Sequence, residues 1–101
     1  MDRRHRLQEI LCEALGSGNV YFQPPANLRM EYPCIVYSLS RIDTNHSGNL
    51  PYRFQRKYML TLIDRNPDSP LVDRILKLPR VAFDRAYPAD NLHHFTFTIY
   101  F

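Results

Sequence analysis

Four histidines, two cysteines and a scatter of serines and aspartates are the residues whose chemistry could define this chain, and their spacing decides how far each goes. His93 and His94 are adjacent in a stretch that reads as a strand, so their side chains leave opposite faces and cannot chelate one ion. His46 falls in a polar segment and His5 in a first helical turn. Cys12 and Cys34 form no CxxC pair, and a structural zinc site needs four ligands. Both thiols are expected to be reduced and packed as small apolar groups. Ser38, Ser40, Ser47 and Cys34 are the candidate nucleophiles, but no glycine-flanked elbow precedes a helix. Asp64, Asp84 and Asp90 could supply acid–base chemistry only if the fold brought them together, and turn formation is their simpler role. Three glycines cannot build a phosphate cradle of the P-loop or GxGxxG type. We therefore expect no enzyme, no metal and no cofactor.

What the sequence offers instead is cations and aromatic rings. Eleven Arg and two Lys stand against ten acids, a net charge of +3. Arg3, Arg4 and Arg6 crowd the start of the first helix, the positive end of its dipole, where cations are misplaced unless an anion lies nearby. Arg53, Arg56 and Lys57 form a second cluster on a strand. Seven Tyr and six Phe supply an aromatic content that leans towards β-structure. Tyr, Phe and Arg are also the types enriched in the buried centres of protein–protein interfaces. The candidate contact residues are Arg53, Arg56, Lys57, His46, Asn45, Arg3 and Arg4.

The elements that must carry these residues follow from periodicity. A chain of 101 residues is one domain, 1–101, with a modest core. Leu7, Ile10, Leu11, Ala14 and Leu15 make one stripe of a helix over 3–15, with Asp2 as its N-cap and Gly16 and Gly18 closing it. Val20–Phe22 reads as a short strand, and 33–41 as a strand with Ile35, Tyr37 and Leu39 on one face. Residues 43–51 have turn chemistry throughout and predict a polar loop of about nine residues. A long strand over 52–64 places Phe54, Tyr58, Leu60 and Leu62 together, its charged first half leaving the core as the arm of a projecting hairpin. Asp68 or Ser69 caps a short helix that starts near Pro70, runs through Leu71, Val72, Ile75, Leu76 and Leu78, and stops at Pro79. Strand 81–87 groups Val81, Phe83, Arg85 and Tyr87, Pro88–Asn91 turns, and strand 92–101 puts Phe95, Phe97, Ile99 and Phe101 on one side.

The order is α-β-β-β-α-β-β. It predicts an α+β domain: a mainly antiparallel sheet of four to five strands with both helices on one face. The other face would carry Thr, Tyr, His, Gln and Lys or Arg. No apolar run approaches the ~20 residues that span a bilayer, and the start of the chain does not read as an export signal. A soluble protein with no membrane partner is expected.

Three segments carry a likeness to a known family: Tyr32-Pro-Cys-Ile-Val-Tyr37; Lys57-Tyr-Met-Leu-Thr-Leu-Ile-Asp-Arg-Asn-Pro-Asp-Ser69; and Phe83 through Phe101. Together they resemble the tail terminator, or tail completion, proteins of long-tailed phages and prophages, which act in head–tail joining. The resemblance implies a virion protein, made in the bacterial host cytoplasm, that assembles as a hexameric ring on the head-proximal end of the tail tube. Such a ring ends tube polymerisation, docks the neck and lets genome DNA pass through a central channel without sequence-specific binding. Its partners would be copies of itself, the tail tube protein and a neck or connector protein. A connector-side ring protein, or a small nucleic-acid-binding regulator using an aromatic sheet, would be the competing readings. A hairpin over 41–56 would make the partner contact, with Arg53, Arg56 and Lys57 pairing with acidic groups or lining the channel.

Overall fold

A computed structural model describes residues 3–47 and 50–101, with side chains throughout except at 45–47 and 50–54. The order is α1 (Arg3–Leu15), β1 (Val20–Phe22), β2 (Cys34–Ser47), β3 (Leu50–Asp64), α2 (Leu71–Leu76), β4 (Val81–Ala89) and β5 (Leu92–Tyr100). The five strands form one sheet in the order β1-β2-β3-β5-β4. Its pairings are antiparallel apart from β1 with β2, which is parallel. This is the α+β arrangement that the sequence predicts.

Strand alternation builds the core. The cross-strand rows Ile35–Leu62–Phe95, Tyr37–Leu60–Phe97 and Tyr58–Ile99 lie on one face of the sheet. Leu7, Leu11 and Leu15 of α1 and Ile75 of α2 pack onto these rows in a single buried cluster. Both helices therefore cover the same face. Gly16, at φ 84°, donates its N–H to the Cys12 carbonyl at 2.8 Å and ends α1 in the left-handed conformation that glycine adopts freely. Pro70, rather than Asp68 or Ser69, is the cap residue of α2; just before it the Ser69 hydroxyl accepts from the Leu71 N–H at 3.3 Å, and the Ser69 carbonyl accepts from Val72. Asp2, the expected cap of α1, lies outside the described residues.

The opposite face is polar and half exposed. Thr61, Thr96, Thr98, Tyr100, Lys57 and Gln55 lie on it, together with Met59. Cys34 and Ile63, paired with each other, are buried on this side. Beside them, the segment that links β1 to β2 folds back so that the Glu31 N–H donates to the Tyr21 hydroxyl.

Two expectations need correction. Residues 43–47 and 50–51 are strand rather than loop, and pairing continues through Asp43↔Gln55 and Thr44↔Phe54 to Ser47↔Leu50. The turn-forming residue types here are overruled by the ladder, and an Arg41–Asp43 ion pair at 3.1 Å braces it. The hairpin connection at 48–49 lies outside the described residues. Second, Val81, Phe83, Arg85 and Tyr87 do not share a face. The register shifts between Phe83↔Phe97 and Arg85↔Thr96. A bulge at Asp84 thus sends Arg85 and Tyr87 to the polar face while Val81 and Phe83 stay on the helix side. Thr96 locks the bulge, its hydroxyl accepting from the Arg85 N–H and lying 3.1 Å from both the Asp84 carboxylate and the Arg85 carbonyl.

Strand β4 forms one border of the sheet and is mostly exposed along its length. It turns into β5 through Asp90 and Asn91, both at positive φ (51° and 62°), the signature of a tight two-residue hairpin. At the other border β1 has only three residues. Gln23 prolongs its pairing: its N–H donates to the Tyr37 carbonyl, and its side-chain oxygen accepts from the Leu39 N–H.

Candidate interaction site

The β5 partner of β3 begins at Lys57↔Tyr100, whereas β2 pairs with β3 out to Leu50. Residues 41–56 therefore continue past the five-stranded sheet as a two-stranded arm. Seven residues of extended strand separate Leu50 from Lys57, a reach of roughly 23 Å. The molecule measures 51 × 24 × 23 Å. At the root of this arm, on the helix side, Leu39 and Ile42 are 38% and 47% exposed.

The same place holds a cleft of about 600 Å³ between the start of α1, the end of β1 and strands β2 and β3. Arg3, Arg4 and Arg56 line it over Phe22, Leu39 and Tyr58, with Gln23 at its side. Two of the guanidinium groups are pinned. Arg4 lies 4.5 Å from the centre of the Phe22 ring and donates to the Tyr37 hydroxyl at 3.2 Å. Arg3 lies 5.2 Å from the Phe101 ring, and its Nε donates to the Phe101 carbonyl at 3.0 Å. The Tyr37 hydroxyl in turn donates to Gln8 Oε1 at 2.6 Å, and Gln8 Nε2 donates to the Val20 carbonyl at 2.9 Å. This chain of bonds fixes α1 to the sheet and holds Arg4 at the cleft wall. Burial pushes the Tyr37 hydroxyl's pKa up, and the Arg4 guanidinium partly offsets it.

A second cationic group sits on the polar face. Tyr100 has Lys57 Nζ 5.9 Å and the Arg80 guanidinium 5.7 Å from its ring centre, and its hydroxyl accepts from Arg41 at 3.2 Å. That hydrogen bond, then the charge of Asp43, pushes the Arg41 pKa up and keeps it charged. Gln55 accepts from the Arg80 guanidinium. Arg80 holds this position from a left-handed backbone, φ 65°.

The candidate contact residues thus divide. Arg3, Arg4 and Arg56 converge in the cleft, although α1 and β3 are far apart in sequence. Lys57, next to Arg56, lies across the sheet beside Tyr100, because neighbouring strand residues face opposite ways. The side chains of Arg53, His46 and Asn45 lie outside the described residues. Arg41 and Arg80 are not among the candidate contact residues, whereas Tyr100 falls on the polar strand face that the sequence predicts for it, beside Lys57. The Lys57↔Tyr100 pairing was implicit in the strand pattern, but the bulge that brings Arg41 opposite Lys57 was not.

Among the described residues, no three His, Cys, Asp or Glu side chains converge, and no helix is long and apolar enough to cross a membrane. Burial pushes the Cys34 thiol up to about 11, away from reactivity. The sequence matches no protein-family model and no curated protein.

Proposed function

We propose that the protein caps the head-proximal end of a phage tail tube as a ring, with six copies as the working number, ending tube growth and joining the tail to the neck. The observation that carries this reading is the arm: two strands over 41–56 that outrun the sheet and have cations at their root on both faces. A domain that only had to fold would gain nothing from extending a polar ribbon beyond its core. A domain that must reach a neighbouring ring or subunit would. The segments that resemble tail terminators support the same role, and so do the exposed apolar residues Leu39 and Ile42 beside the arm. DNA passing through the ring would meet loosely spaced cations, which suits sliding better than tight binding.

The test is deletion of residues 44–49, which shortens the arm without touching the buried cluster. The variant should fold like the wild type and fail to join tails to heads, with tube ends left uncapped in electron micrographs. Tails of normal length that join normally in this variant would overturn the reading. So would a monomer that ignores tail tubes and binds nucleic acid with steep salt dependence.

A further inference from the structure

We infer that the arginine cleft is a receptor for carboxylates and that its occupant is the acidic corner of a second copy of this chain. Arg41 pairs with Asp43 in the arm, but the cleft arginines make no ion pair among the described residues. Arg3, Arg4 and Arg56 meet at the arm end of the sheet, over an apolar floor and without a carboxylate in the lining. Arg56 is exposed and makes no hydrogen bond or ion pair through its side chain among the described residues. A guanidinium carries five N–H donors, and the internal bonds of Arg3 and Arg4 use one each. Three cations held together with most of their donors unspent favour an anion that accepts from several at once.

The opposite end of the sheet presents such groups. Strand β3 ends at Asp64, level with His93, and the chain turns through Arg65, Asn66 and Pro67 to Asp68 before α2 begins, two carboxylates against one guanidinium. Two side-chain turns stiffen this corner: the Asn66 N–H donates to Asp64 Oδ1 at 3.1 Å, and the Asp68 N–H donates to Asn66 Oδ1 at 2.9 Å. The Asp68 carboxylate itself makes no hydrogen bond or ion pair among the described residues, and residues 65–68 are exposed. Eight residues of strand, roughly 26 Å, separate Arg56 from Asp64. One molecule therefore cannot close this contact on itself, but two copies can, head to tail. Pro67 at the tip of the corner suits the apolar floor formed by Phe22, Leu39 and Tyr58. Such a contact uses different patches on the two partners, so it propagates around a ring or along a line. The inference deepens the ring reading and rests on its self-association, not on its place in a virion.

The experiment is sedimentation velocity on the full chain at rising concentration, at low salt and at about 0.5 M, where surface charges are screened. The wild type should self-associate at low salt and at least ~10-fold more weakly at high salt. Arg56→Glu and Asp68→Arg should each remain monomeric, with unchanged circular dichroism and melting temperature. Mixed one to one, they should assemble again, because the reversed cleft of one meets the reversed corner of the other, and the two untouched patches meet as in the wild type. Arg29→Glu makes the same charge change on an exposed residue away from the cleft, and should associate like the wild type. A monomeric wild type, an Arg56→Glu that associates normally, or a mixture that stays monomeric overturns the inference. A monomer that binds a short DNA duplex through Arg56 also overturns it and makes phosphate the ligand. Capping of purified tail tubes, measured in parallel, separates the two claims: capping without this contact sinks the inference alone, and the contact without capping sinks the terminator reading alone.

Discussion

Removing one oxygen, in Tyr37→Phe, tests whether the cleft wall is held as described. The Tyr37 ring is 1% exposed and packs 5.0 Å from Phe22 and 6.1 Å from Tyr58, contacts that Phe keeps. The loss is therefore polar. The hydroxyl donates to Gln8 Oε1 and accepts from Arg4. Two such bonds, one to a charged group, contribute about 2–4 kcal/mol. Both bonds are only part-buried, which places the net loss at the low end of that range, about 2 kcal/mol. For a chain of this size that is a fall in melting temperature of roughly 8–16 °C. Urea unfolding should show a lower midpoint with an unchanged slope. A double-mutant cycle with Gln8→Ala should give a coupling of about 1 kcal/mol, since the two residues share a bond. A Tyr37→Phe variant within about 0.5 kcal/mol of wild type, with no coupling to Gln8, would refute the reasoning. It would mean that water serves Gln8 and Arg4 as well as the phenol does.

Other outcomes follow from individual side chains. Because burial raises the Cys34 thiol to about 11, the unfolded chain sheds a proton between roughly pH 9 and pH 11 that the folded chain keeps. Stability should fall as pH rises through that window, more in wild type than in Cys34→Ala, by up to roughly 2–3 kcal/mol at the top; equal slopes would contradict this. Thr96→Val should cost about 1–2 kcal/mol and speed amide exchange at Arg85, because Thr96 is 5% exposed and its hydroxyl holds the bulge. Unchanged exchange there would show that the bulge is fixed by the ladder alone.

Much of the fold was legible because its signals are local. The α1 stripe of Leu7, Leu11 and Leu15 and the alternation of Phe95, Phe97 and Ile99 each name a buried face, and these residues form the core. What escaped depends on partners distant in sequence. Asp43, Thr44 and Asn45 look like turn residues until strand β3 is laid beside them. A bulge is invisible to alternation counting, so the faces of Arg85 and Arg41 were out of reach. Arg56 and Lys57 could have been assigned opposite faces from spacing alone. That Arg56 would meet Arg3 and Arg4 could not, because it depends on where α1 lies across the sheet.

The exposed border strand has a consequence for how copies of this chain can meet. Nine residues of unpaired edge would ordinarily invite another strand to add on, and repeated addition ends in cross-β aggregation. Here the Asp84 bulge breaks the repeat, Pro88 removes a donor and Arg85 adds charge, while at the far border β1 covers β2 at three positions and β2 runs on past it. The β4 border is blunted against growth by its own backbone. Association is left to side chains on faces and corners, where shape and charge, unlike a backbone ladder, can count copies and stop.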